Sequence, residues 1–195
     1  MNRQEKIAAL LGDILIPILG FFLWNWSIYF ICLFFLLDQL AREISQLIRV
    51  NKLKASNQFS PSTIIVNVIL FIGLFCLVHL FNLLLKPSIS FFNEMNHFFW
   101  YKDTGIPQGF ILFPLLFYVE RLRYRMNTKV FSMEMHRKHW RLHTVQLILY
   151  VLLFALLSVL LVFLDVEKTL CFILLIIGFA LVTLGANKIS TFFPS

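Results

Sequence analysis

The sequence predicts an all-α, polytopic membrane protein with six transmembrane helices, and three observations carry that prediction. Of the 195 residues, 59% are apolar and 14% charged, whereas a water-soluble domain carries roughly a quarter charged residues. Six apolar segments reach the length that a hydrocarbon layer of about 30 Å demands: 7–24, 26–45, 63–85, 107–122, 143–164 and 168–187. Six crossings put both termini on one side; fourteen Lys and Arg residues then fall on that side, against Lys86, Lys102 and Lys168 on the other. Basic loops stay in the cytoplasm, so the chain is N-in/C-in. The whole of 1–195 forms one transmembrane domain.

The first two segments read as a helical hairpin folded at Trp24-Asn25-Trp26-Ser27. MNRQEK ahead of an apolar run resembles the start of a signal peptide, but no small-x-small cleavage site precedes Trp24, so the first span stays uncleaved. Residues 46–62 form a cytoplasmic loop, with Ser60-Pro61-Ser62 as a stop followed by a helix start. In 86–106 the residues Phe91, Phe92, Met95, Phe98 and Phe99 recur at helical spacing and Trp100-Tyr101 close the run, which predicts an amphipathic helix lying in the outer interface. The fourth span is the shortest: its apolar core, Gly109 to Val119, contains Pro114, so it is tilted, kinked or re-entrant. Residues 120–142 make a basic cytoplasmic loop mixed with Phe131, Met133, Met135 and Trp140, resting on the inner membrane surface.

Composition also excludes functions. The net charge of +7 is spread between apolar runs, so it sets topology and gives no nucleic-acid surface. Cys32, Cys76 and Cys171 lie in apolar segments and make neither a disulfide framework nor a metal motif. His-Glu-x-x-His, Gly-x-Ser-x-Gly and a P-loop are all missing from the sequence, which removes support for a metalloprotease, a serine hydrolase or a nucleotide-driven pump.

Chemistry is concentrated in the hairpin. Asp13 lies twelve residues before Asn25 and Asp38 thirteen after it, so at about 1.5 Å per residue both acids sit on the order of 17 to 20 Å from the turn, at matched depth. Asp13, Pro17, Gly20 and Trp24 share one helix face, which points at protein because an Asp facing lipid costs roughly 2.5 to 3.5 kcal/mol. Asp38 and Arg42 are spaced i, i+4, so a pair is available. With His143 at the inner start of the fifth span, Asp13, Asp38 and Arg42 form a candidate intramembrane polar cluster, which Asn67 and Gln146 can join. Such acids survive protonated, paired with Arg42, or wetted by a cleft. They serve either a proton relay or polar-substrate site, or a hydrogen-bond cluster that fixes helix packing. His79 and Asn82, i and i+3 near the outer end of the third span, form a second polar pair. His136, His139 and His143 follow i, i+3, i+7, a spacing that can bind a metal. A solvated basic face explains them more simply, so no metal and no cofactor are assigned.

The stretch Pro17-Ile18-Leu19-Gly20, with Trp26 nine residues after the proline and Asp38 twelve after that tryptophan, resembles a family of uncharacterised bacterial integral membrane proteins, a domain-of-unknown-function family. That family has a Pro-x-x-Gly stretch, a Gly-Trp turn and an acid in the second helix. Arg141-Leu142-His143-Thr144 is similar to the start of one of its later helices. The family more often carries Glu in the second helix, and Asn where this chain has Asp13. The resemblance covers roughly a quarter of the chain and implies fold and placement in a bacterial inner (plasma) membrane, with no activity. The expected function is a structural or interaction component with the lipid bilayer, a homo-oligomer or another membrane protein as partner, and not an enzyme. The alternative is a small proton-coupled transporter or channel using Asp13 and Asp38.

Overall fold

The computed structural model describes residues 14–53, 61–100, 108–127, 133–164 and 166–189, except for the side chains of 49–53, 61–63, 108–109, 122–127, 133–136 and 187. These residues form seven helices and no strand: α1 (Ile16–Leu23), α2 (Ile28–Leu53), α3 (Pro61–Leu85), α4 (Phe91–Trp100), α5 (Gln108–Asn127), α6 (Met133–Phe163) and α7 (Lys168–Ile189).

Three of these helices, not six, are long and apolar enough to cross a membrane: Ile64–Leu85, Arg137–Phe163 and Lys168–Ala186, with mean hydropathies of 2.8, 2.8 and 2.6. Only 22%, 39% and 44% of their apolar windows are buried inside the fold, so their remaining apolar faces call for lipid. The other three predicted spans fall short for separate reasons. The described part of α1 is eight residues long, α2 carries Asp38, Arg42 and Glu43, and α5 ends in a charged run from Glu120 onward.

Helix α2 is the axis of the bundle. Every side chain from Ile28 to Leu36 is buried, which marks a helix surrounded on all sides. It enters from a tight turn: Asn25 adopts a positive φ of 50°, a conformation open to Asn at small cost. The Trp26 N–H donates to the Gly20 carbonyl at 2.9 Å. The Ser27 hydroxyl accepts from the Phe30 N–H at 3.0 Å and caps α2. Pro17 is the second residue of α1. Gly20 is needed for close approach, because a Cβ there would lie 2.1 Å from Trp26 Cε3.

Side-chain pairs fix the directions of the other helices. Asn67 meets Thr144 and Phe81 meets Phe154, so α3 and α6 run parallel. Tyr29 meets His79 and Glu43 meets His143, so α2 runs antiparallel to both. Helix α7 folds back on α6, with Gly178 against Leu153. Phe35 stacks on Phe179 at 4.6 Å and meets Tyr150 edge-on at 4.7 Å. At the turn end, α4 packs Phe98 on Phe30 at 4.7 Å, and Phe110 of α5 packs on Phe99 and Trp100.

Two predicted loops are corrected. The loop at 46–62 starts later, since α2 continues to Leu53: Gln46 is buried against the bundle, so helix packing overrides the polar composition. The basic loop at 120–142 is helical at both ends, in α5 to Asn127 and in α6 from Met133. At about 1.5 Å per residue the 31 residues of α6 span about 46 Å, more than a hydrocarbon layer.

Candidate functional site

The bundle has two polar layers. One lies at the basic end of α2, where the sequence places Asp38, Arg42 and His143; the other lies at the turn end, around Tyr29.

At the basic end Arg42 Nη2 sits 2.7 Å from Asp38 Oδ2, with both side chains on one helix face. The Gln39 amide lies 3.4 Å from the same oxygen. His143 does not reach Asp38. Its Nε2 lies 2.7 Å from Glu43 Oε2, and both of these side chains are only 4% exposed. This contact joins α2 to α6 across 100 residues of sequence. One residue on, the Thr144 hydroxyl lies 2.8 Å from Asn67 Oδ1 on α3 and 3.1 Å from the Trp140 carbonyl on its own helix. Gln39, Ser45, Gln46 and Gln146 are buried as well. Asp13 lies outside the described residues.

Glu43 is the residue that sequence reasoning missed. It follows Arg42 in a run, Asp38-Gln-Leu-Ala-Arg-Glu-Ile-Ser-Gln46, that looks like a helix leaving the membrane for a polar loop. Gln39, Glu43 and Gln46 are i, i+4, i+7, a polar stripe that runs beside a second one of Asp38, Arg42 and Ser45. Spacing shows that the three share a face; it does not show which helix that face meets.

At the turn end, His79 and Asn82 are not partners of each other. His79 Nε2 lies 2.9 Å from the Tyr29 hydroxyl, and its Nδ1 lies 2.8 Å from the Phe75 carbonyl. The Asn82 amide donates back to the Val78 carbonyl of its own helix at 2.8 Å. The Ser27 hydroxyl donates to Glu94 at 3.0 Å, tying α4 to the start of α2. The Tyr29–His79 and Ser27–Glu94 contacts link one element to the next, while those to the Phe75 and Val78 carbonyls stay within α3.

Of the three histidines spaced for a metal, the side chain of His136 lies outside the described residues, His139 is half-buried and His143 is committed to Glu43. Among the described residues no three His, Cys, Asp or Glu side chains gather to hold an ion. No family model, no curated protein and no solved structure matches this chain.

Proposed function

We propose that the chain is a six-crossing component of a bacterial inner membrane, with both termini cytoplasmic, and that it works as a structural or interaction subunit and not as an enzyme. The observation that carries this is the Glu43 to His143 contact, 2.7 Å long and buried on both sides. Two titratable groups spent on each other fasten α2 to α6 and leave the bundle rigid at the level of its polar layer.

The six-crossing count rests on three apolar helices plus α1, α2 and α5. Helix α2 is enclosed by protein along Ile28 to Leu36, and its Arg42 and Glu43 are buried, which supports a crossing despite its charges. Helix α5 has 20 residues, enough for about 30 Å. Arg137, Lys138, Arg141 and Lys188 gather at the same end as Arg42, which supports assigning that end to the cytoplasm. The likeness of the Pro17 to Asp38 hairpin to uncharacterised bacterial membrane proteins supports the same placement. A proton carrier based on Asp38 is favoured less, since Arg42 already occupies that carboxylate.

The test is recovery of the tagged chain from native membranes at native abundance. A second copy or a partner protein retained in fixed ratio is the expected result. A lone protomer that sustains a pH-driven flux, abolished by Asp38→Asn, overturns the subunit assignment.

A further inference from the structure

Two parallel helices of this bundle stop side by side. The last turn of α3, at Leu84 and Leu85, and the end of α6, at Leu161, Val162, Phe163 and the following Leu164, wall a cavity of about 290 Å³. That is close to the roughly 300 Å³ at which ligand pockets begin. These side chains are all apolar, so the polar atoms they bring to the cavity belong to the main chain. Helix carbonyls point along the axis towards the C-terminus, and the last of them have no intrahelical partner. Pro87 carries no N–H with which to extend α3. The Lys86 N–H reaches back to the Asn82 carbonyl at 3.0 Å, and the Leu164 N–H to the Leu160 carbonyl at 2.8 Å. Beyond those bonds, the carbonyls of Leu84, Leu85, Val162 and Phe163 accept from no backbone N–H among the described residues.

Each helix end carries the equivalent of about half a negative charge. Because α3 and α6 run parallel, the two ends add at one place. Such a place favours a cationic hydrogen-bond donor and disfavours an anion. Lys86, exposed and next in sequence after Leu85, supplies a cation for a phosphate at the rim. Towards the middle of the two helices, Leu80, Leu83, Leu156 and Val159 are exposed, and apolar faces of that kind call for hydrocarbon. An ammonium, a phosphate and acyl chains are the parts of one phospholipid molecule. We propose that the cavity seats the headgroup of a phospholipid with a primary ammonium, the phosphatidylethanolamine class. The ammonium donates to the carbonyls that end α3 and α6, the phosphate lies beside Lys86, and the chains follow the apolar faces. The site goes beyond the subunit assignment and stands without it, since a carrier and a scaffold can hold a lipid equally.

The test places the full-length protein in nanodiscs of phosphatidylethanolamine, phosphatidylcholine and phosphatidylglycerol in equal parts, with matched acyl chains, and reads the retained lipid by native mass spectrometry. Phosphatidylethanolamine is retained roughly 3- to 30-fold over phosphatidylglycerol, as two helix termini acting together require. It also exceeds phosphatidylcholine, whose quaternary ammonium has no N–H to donate. Val162→Trp fills the cavity from an exposed position and brings the three lipids level; should that variant not fold, Leu164→Trp, also exposed, takes its place. Lys86→Gln lowers retention of all three lipids and leaves their order unchanged. Equal retention by the parent protein overturns the proposal, and so does a preference that the tryptophan variant keeps. A rise in retention with Lys86→Gln also overturns it, because the lysine then caps the carbonyls itself.

Discussion

Cutting the Glu43 to His143 contact from either side should harm the bundle more than cutting it from both. An interhelical hydrogen bond in a bilayer is worth about 0.6 kcal/mol and at most about 1.7, so the contact itself is a minor part of the loss. The larger part is the group left behind. Both side chains are 4% exposed, and stranding one partner of a buried pair costs about 3 to 5 kcal/mol. At 1.36 kcal/mol per decade, the lower figure already shifts the folding equilibrium by more than a hundredfold. His143→Leu is the worse of the two, because Glu43 Oε1 has no partner to begin with and the substitution strands Oε2 as well. Glu43→Leu with His143→Leu removes both polar groups and fills their space, returning stability to within about 1 kcal/mol of the parent, as apolar replacement of buried pairs does elsewhere. The assay is reversible unfolding in mixed anionic and nonionic micelles, followed by tryptophan fluorescence. Additive losses, or a double variant less stable than either single one, would refute the assignment of the pair as a mutual fastener.

Gly20→Ala puts a methyl 2.1 Å from Trp26, whose ring is backed by Phe30 at 4.6 Å. It should cost about 1 to 3 kcal/mol in the same unfolding assay. Gly178→Ala meets only the movable end of Leu153 at 2.5 Å, so its loss stays below about 1 kcal/mol, and the reverse order would contradict the packing. Ser27→Ala removes the cap on α2 and the contact with Glu94, a loss of about 1 kcal/mol, checked as a fall in melting temperature. Single cysteines introduced at Lys86 and Lys138, both exposed, should react with an impermeant maleimide from opposite faces of sealed vesicles. Labelling from one face alone would remove the even-crossing topology.

Much of the helical layout was legible because it depends on local composition. The segment predicted at 63–85 is Pro61–Leu85, and that at 168–187 is Lys168–Ile189; apolar length and the flanking Pro61 and Lys168 suffice to mark them. The hairpin turn was legible for a related reason, since Trp24-Asn25-Trp26-Ser27 contains a residue suited to positive φ and one suited to capping. The ends of α2 and α6 were hidden because polar residues there are retained by packing partners far away in sequence. Gln46 reads as loop until its burial is known, and Glu43 reads as a surface charge until His143 arrives from α6. The pairing of His79 was hidden in the same way: spacing puts Asn82 on its face, but the nearer polar atom belongs to Tyr29 on another helix.

A central helix walled in by its neighbours has a bearing on how the protein is made. Apolar residues at the middle of a span favour partitioning from the translocon by about 0.3 to 0.6 kcal/mol each, while a charged one opposes it by about 2.5 to 3.5. On that scale Ile28 to Leu36 roughly offset one or two of Asp38, Arg42 and Glu43, not all three. Delivered alone to lipid, α2 would hover at the threshold of integration. If α2 crosses the membrane as proposed, its position is expected to be fixed only once His143, a hundred residues later in synthesis, has left the ribosome.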